Sequence, residues 1–340
     1  MSEREALHRA ICENPDEDTP RLVFADWLDE HDEPERAEFI RLQIEIAQLP
    51  EGKKKQKRQV REKELLDAHK EVWSEPLKPF YASYYSGIYA HHYAPPVVFR
   101  RGFVETIAMD ATAFIEHGED VFALSPIREL RQQDCADFAE LAKCKHLLRL
   151  RSLNLSGSVL SSDGSDSPVL LRSKYLANLT ALTARGFDDN GHLDADGLRA
   201  IAGSRHLTKL ASLDLSNNWI LGEHVSSKEE TACRTVLKKL GEKLPALREL
   251  RLRSVGLSDD HVLELVGQSW VRKLRILDLG SNHLSDAGCR ALAESKHLAK
   301  LEQLLLTNND FYDRDQGTSV PLSPATTRML KKRFGKAVML

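Results

Sequence analysis

One leucine pattern returns six times in this chain and limits what the chain can fold into. It reads Leu150-x-x-Leu153-x-Leu155, Leu179-x-x-Leu182-x-Ala184, Leu210-x-x-Leu213-x-Leu215, Leu247-x-x-Leu250-x-Leu252, Leu274-x-x-Leu277-x-Leu279 and Leu301-x-x-Leu304-x-Leu306. Successive starts are separated by 29, 31, 37, 27 and 27 residues. Self-similarity at such a period marks a stack of identical supersecondary units, none of which buries its apolar face alone.

Each unit reads as a short strand and a return segment. Strand alternation sends Leu153 and Leu155, Leu213 and Leu215, Leu250 and Leu252, Leu277 and Leu279, and Leu304 and Leu306 inward, while the residues between them face outward. The return segments carry helical spacing: Ser285 precedes Asp286 and Ala287, then Cys289, Leu292 and Ala293; Ser258 precedes Asp259, then Val262, Leu263, Leu265 and Val266. Residues 193–201 echo this order. The period and the helices match the longer leucine-rich repeats, so the expected fold class is α/β: a leucine-rich repeat solenoid with parallel strands on a concave face and helices on a convex one.

Asn218, Asn282 and Asn309 occupy the turn after three of these strands, with Ser158, Phe187 and Val255 in the other three. A buried amide can satisfy turn backbone groups on its own and adjacent coils. Where it is missing, that accounting must be met differently. Two weaker units open the array, Val104-x-x-Ile107-x-Met109 and Ile127-x-x-Leu130 with Cys135, giving about eight repeats.

With 41% hydrophobic residues and negative mean hydropathy, the composition is that of a water-soluble globular protein. The start, MSEREALHRA, has no apolar signal core, and no run approaches a membrane span. The five cysteines, Cys12, Cys135, Cys144, Cys233 and Cys289, are scattered and odd in number, which fits reduced thiols in a cytoplasmic protein. The net charge of −3 hides an asymmetry. Residues 1–50 carry five Arg against fourteen Asp or Glu, whereas residues 53–63 carry seven basic residues against one acid.

Three helix starts stand in the first 50 residues: Ser2 with Glu5, Asp18 or Thr19 before Pro20, and Pro34. Their few large apolar residues imply that this module leans on something else. The stretch AICENPDEDTPRLVFADWLDEHDEPERAEFIRLQ, where DTPRLVFADWLDE and RAEFIRLQ occur together, resembles the repeat-companion domain, a short module that precedes repeats in large bacterial families. FRRGFVETIAMDATAFIEH and LSPIREL resemble the start of the repeats in the same proteins, and the repeats themselves resemble the ribonuclease-inhibitor-like kind. The resemblance covers about residues 5–49 and 98–312. It implies a bacterial interaction protein without assigned catalysis, and offers no functional residues to carry over.

The expected layout is therefore a helical companion module at 1–50, a charged helix and Tyr-rich linker or cap at 51–97, the solenoid at 98–312, and a C-terminal cap at 313–340, with Leu330 and Phe334 turned toward the last coil. In the first module, Asp26, Trp27, Arg21 and Arg41 form either a recognition cluster or, as favoured here, a core tryptophan with solvated or salt-bridged charges. The run 53–63 either contacts nucleic acid, presents a solvated helical face, or rests against the acidic module. Tyr81, Tyr85, Tyr89 and Tyr93 suggest an aromatic cap over the first coils or a ligand pocket; the adjacent His91 and His92 lack metal-ligand spacing.

Function should sit on the outward columns of the strands. The central column is Asn154, Thr183, Asp214, Arg251, Asp278 and Leu305, and its neighbour is Ser156, Arg185, Ser216, Arg253, Gly280 and Thr307. Arg251 is expected between two exposed carboxylates. Arg185, Arg251 and Arg253, framed by Asp214 and Asp278, form the candidate contact surface for a protein or peptide, the competing reading being charge that pairs with itself. No phosphate-cradling glycine loop, Gly-x-Ser-x-Gly or His-Glu-x-x-His is present, so no catalytic residue, metal site or cofactor is expected. The leading function is a non-enzymatic binding scaffold. The alternatives are a GTPase-activating protein of the Ran-activating type, whose acidic tail this chain replaces with the basic TTRMLKKRFGKAVML, and nucleic-acid binding through 53–63.

Overall fold

The computed structural model describes residues 1–81, 95–132, 137–158, 160, 167–186, 193–218, 220–222, 225–309, 311–313 and 318–340, with backbone alone for 167, 311–313 and 318–320. Tyr85, Tyr89, Tyr93, His91, His92, Cys135 and Phe187 lie outside the described residues. The chain forms two compact units, Met1–Arg131 and Gln132–Leu340, and the strands of the two opening coils belong to the first.

The first unit begins with α1 (Glu3–Glu13), α2 (Thr19–Asp29) and α3 (Pro34–Gln48). Ser2 caps α1 reciprocally: its Oγ accepts the Glu5 N–H at 3.2 Å, and the Glu5 carboxylate accepts the Ser2 N–H at 2.8 Å. α4 (Lys53–Ser74) and α5 (Lys78–Tyr81) follow, then the hairpin β1 (Val97–Arg100) and β2 (Phe103–Ala108), α6 (Ala111–Leu124) and β3 (Glu129–Arg131). β1 and β2 are antiparallel, and β2 pairs in parallel with β3 through Ile107 and Leu130. Phe103 joins Ile11, Phe24, Leu28 and Ile40 in one apolar cluster, so the small helical core is completed by β2. The hairpin turns at Gly102, whose positive φ of 86° suits glycine; a Cβ there would meet Ile40 at 2.4 Å.

β2 is buried on both faces, which puts Glu105 inside. Arg21, read from the sequence as solvated or salt-bridged, is salt-bridged and fully buried: it pairs with Glu105 at 2.8 Å and donates to the carbonyls of Arg101 at 3.0 Å and Pro15 at 2.9 Å. Burial pushes the Arg21 guanidinium down to about 10 and the Glu105 carboxyl up, and the ion pair opposes both shifts. Arg41 stays near the surface, holding Asp26 and Asp29 at 2.6 Å each, and Trp27 stacks on Phe24. The basic run at the start of α4 meets the acidic module: Arg61 binds Glu38 at 2.7 Å, and Lys54 and Arg58 bind Glu45 at 3.2 and 3.0 Å.

The second unit is a leucine-rich repeat solenoid. Its strands are β4 (Ser152–Asn154), β5 (Ala181–Thr183), β6 (Ser212–Asp214), β7 (Glu249–Arg251), β8 (Ile276–Asp278) and β9 (Gln303–Leu305), paired in parallel in sequence order. Leu153, Leu182, Leu213, Leu250, Leu277 and Leu304 stand opposite one another without a slip. They and Leu155, Leu215, Leu252, Leu279 and Leu306 are almost wholly buried. The chain returns through α7 (Phe138–Leu141), α8 (Ser167–Leu171), α9 (Ala195–Gly203), α10 (Ser227–Lys243), α11 (Asp259–Val266) and α12 (Asp286–Glu294), each packed on the next. The hairpin β10 (Phe311–Asp313) and β11 (Thr318–Val320) and the helix α13 (Pro324–Phe334) close the array. Leu330 is buried as expected of a cap, while Phe334 is only half-buried. The last residues add a strand the sequence did not announce: β12 (Val338–Met339) pairs with β9 and covers its open edge.

The asparagines form a ladder. Asn282 donates to the carbonyls of Leu252, Leu279 and Gly280 at 2.8 to 3.0 Å, so one amide joins two coils. Asn218 does the same with Ala184 and Leu215, and Asn309 with Leu279 and Leu306. Before several strands lies a short 3₁₀ turn, as at Lys174–Leu176 and Lys296–Leu298. Ser173 and Ser295 start these turns, capping the turn N–H while donating to the preceding coil at Ala142 and Val266. Cys12, Cys144, Cys233 and Cys289 are buried, and burial pushes the Cys233 and Cys289 thiols up to about 12. Among the described residues, no helix is long and apolar enough to cross a membrane.

Candidate functional site

The outward columns take the predicted register. Asn154, Thr183, Asp214, Arg251, Asp278 and Leu305 are consecutive partners across β4 to β9. A second outward column, Ser152, Ala181, Ser212, Glu249, Ile276 and Gln303, lies two residues earlier on the same face. This column changes the pairing, because it brings Glu249 beside Arg251.

Arg251 is not held between two exposed carboxylates. Asp214 and Asp278 are only 3% and 6% exposed, and Arg251 pairs with Glu249 on its own strand. The cause is local. Each Asp turns its Oδ1 to the backbone two residues on, Asp214 accepting the Ser216 N–H at 3.0 Å and Asp278 the Gly280 N–H at 2.9 Å. Asn154 does the same for Ser156 at 2.9 Å, so the Asx turn is a device of the repeat. With one oxygen committed to the chain, each carboxylate meets a guanidinium arriving from the neighbouring column.

Arg185 supplies that guanidinium to Asp214, its Nε and Nη2 lying 2.7 and 2.6 Å from Oδ2. Arg253 lies 4.0 Å from Asp278 and donates to Thr307 Oγ1 at 2.9 Å. To reach Thr307 it passes over Gly280, where a Cβ would meet its Nη1 at 2.4 Å. Glycine at 280 thus leaves the trough in which this arginine lies. The five candidate residues are brought together on one face, and each arginine has an internal partner. The side chains of Arg185, Arg251 and Arg253 remain 50%, 32% and 32% exposed.

Chemically this face offers anchored guanidinium planes flanked by hydroxyls and an amide, suited to accepting carboxylates and carbonyls from another chain. Among the described residues, no group of three or more His, Cys, Asp or Glu is placed to hold a metal ion. Sequence reasoning missed Glu249 and the role of Gly280. The alternation that places Glu249 on the outward face was legible, but only the side-chain direction reveals that it captures Arg251.

No protein-family model matches the chain, and no curated protein matches it. Solved structures do align. A protein from Bacteroides fragilis is 14% identical with a TM-score of 0.42, the alignment covering 63% of this chain and 65% of that one. TLR13 in the TLR13–ssRNA13 complex is 21% identical with a TM-score of 0.37, covering 63% and 25%. An internalin (inlF) from Listeria monocytogenes is 17% identical with a TM-score of 0.28, covering 63% and 70%. This chain thus spans 65% of the length of the first of these proteins and a quarter of the second.

Proposed function

We propose that the protein is a non-enzymatic scaffold that binds a polypeptide partner on the strand face of the Gln132–Leu340 unit. The observation that carries the reading is the set of three arginines, Arg185, Arg251 and Arg253, held half-exposed on one face of a parallel sheet by Asp214, Glu249 and Asp278. Arginine is enriched in protein interfaces, and a side chain already fixed by an internal partner loses little freedom on binding. Stacked repeats present such a face as a rigid surface. In this reading the chain is bacterial and cytoplasmic, its repeats are ribonuclease-inhibitor-like, and residues 5–49 are a repeat-companion module.

The test is affinity capture from native cells with mass spectrometry, using the whole chain and the double variant Arg251→Glu/Arg253→Glu. Loss of one reproducible partner with an unchanged circular dichroism spectrum supports the reading. Retained capture moves the contact to the helices or to the first unit.

A further inference from the structure

The two ends of the strands in the Gln132–Leu340 unit carry opposite charge. The helices begin where the strands end, and their first turns are acidic: Asp196 in α9, Glu229 and Glu230 in α10, Asp259 and Asp260 in α11, Asp286 in α12. Parallel coils repeat one position along the axis, so these carboxylates gather on one rim. The opposite rim, where the helices end and the strands start, gathers cations. Across the coils of β7, β8 and β9 it forms a hollow of about 360 Å³ lined by Arg248, Arg272, Lys273, Arg275, Lys296 and Lys300. His297 and Ala299 complete the lining, and no carboxylate takes part.

We infer that this hollow is a binding site for a compact ligand bearing clustered phosphate groups. Cations near helix C-termini ordinarily complement the helix dipole, and a single cation per end suffices for that. Here six lie around one hollow in three coils. Three of them, Arg248, Lys273 and Arg275, reach backbone carbonyls. Arg248 Nη1 donates to the Leu247 carbonyl at 2.8 Å, and Arg275 Nη1 donates to the Lys300 carbonyl at 3.3 Å. The one carboxylate in ion-pair range of this set among the described residues is Glu302, 3.4 Å from Arg275 and 67% exposed. Like charges crowded in this way repel, and a polyanion removes the repulsion. Arginine forks and lysine ammoniums together match phosphate oxygens. No Phe, Tyr or Trp lines the hollow to give bases a broad stacking platform, the one ring in the lining being His297, whose Nδ1 lies 3.2 Å from the Val266 carbonyl, and the size of the hollow suits a small polyanion rather than a strand.

The probe is inorganic tripolyphosphate, titrated calorimetrically into the full chain, into Arg272→Gln/Lys296→Gln, and into Lys53→Gln/Lys57→Gln, which removes equal charge elsewhere. All four positions are exposed. Removal of two phosphate contacts should weaken binding about tenfold or more in the first variant and leave the second near wild type. A parallel sedimentation arm uses phosphatidylcholine vesicles containing phosphatidylinositol bisphosphate. Hollow-dependent binding of tripolyphosphate identifies a free phosphate ligand, and hollow-dependent binding of the vesicles alone identifies a lipid headgroup; either supports the site. Equal weakening by both variants, no binding in either arm, or equally tight hollow-dependent binding of a poly-glutamate peptide or an oligonucleotide overturns it.

Discussion

The side-chain oxygen of Asn282 accepts the backbone N–H of Val255 at 3.0 Å, and the N–H of Leu257 at the same distance. Val255 stands where other coils carry asparagine, and the amide of the next coil serves the turn that lacks its own. The same arrangement serves Leu193, whose N–H is accepted by Asn218 at 3.1 Å. The ladder reaches backward along the array, so a coil without asparagine is stable when its successor has one.

Asn282→Ala should therefore cost more than a single hydrogen bond. It strands two N–H groups and the Leu252 carbonyl in a buried turn, and takes one donor from the carbonyls of Leu279 and Gly280, which keep Asn309 and the Ser254 N–H; a loss of about 3 kcal/mol or more is expected in denaturant unfolding. Asn309→Ala, which leaves the Asn282 N–H and the Leu306 carbonyl, should cost less. Equal or negligible losses would refute the backward ladder.

Leu213→Asp should unfold the second unit. The side chain is wholly buried between Leu182 and Leu250, so the change removes about 1.5 to 3 kcal/mol of burial and places a charge with no partner in the core. Thermal melting followed by circular dichroism reads the outcome, and an unchanged curve would contradict the register.

Gly241→Ala should reverse the usual sign of this substitution. In the last turn of α10 alanine would ordinarily gain up to about 1 kcal/mol as the better helix former. Here the new Cβ would lie 2.1 Å from the Trp270 ring, which is pinned by its Nε1–H to the Lys238 carbonyl at 2.7 Å. A net loss of about 2 kcal/mol is expected from the overpacking. Gly203→Ala, with nothing within 4 Å of the added carbon, should be neutral or stabilising.

Acidification should weaken the second unit through His261. Its Nδ1 accepts the Ser258 N–H at 3.1 Å and its Nε2 faces Glu230 at 3.0 Å; burial, opposed by Glu230, holds its pKa below the usual 6.5. The unfolded chain then takes up a proton first as pH falls, so stability is unaffected above 6.5 and declines below it. His8, lowered by burial and by Arg36 and Arg4, acts in the same direction in the first unit. The urea midpoint should drop between about pH 7.5 and about pH 5.5, and His261→Gln should reduce that drop. An identical drop in the variant would remove His261 from the account.

Arg21→Met should destabilise the first unit by about 3 kcal/mol or more, because it leaves the carboxylate of Glu105 buried beside a hydrocarbon. Arg101 still contacts Glu105 at 2.8 Å, so the double variant Arg21→Met/Glu105→Gln should recover part of the loss. Denaturant unfolding followed by the fluorescence of Trp27 and Trp73 reads both.

The sequence by itself determined the stack, its register and the inward set, because a parallel coil repeats one spacing and Leu213 or Leu277 has one face on which to be buried. It also located the serine and aspartate helix starts, whose capping is a local matter. Two of the short 3₁₀ turns share a Ser-Lys-x-Leu, at residues 173–176 and 295–298, a signal whose meaning emerges only once the structure shows Ser173 and Ser295 reaching the coil before. Only the tertiary structure decided that Arg21 is interior, since that depends on β2 being covered on both faces. It alone gave β12 a partner, two residues being too few to carry a pattern. On the sheet face the order of Arg185, Asp214, Arg251, Arg253 and Asp278 followed from the repeat, but their pairing did not. A long side chain can reach any of several neighbours, and the choice fell to the backbone N–H groups that had already claimed Asp214 and Asp278.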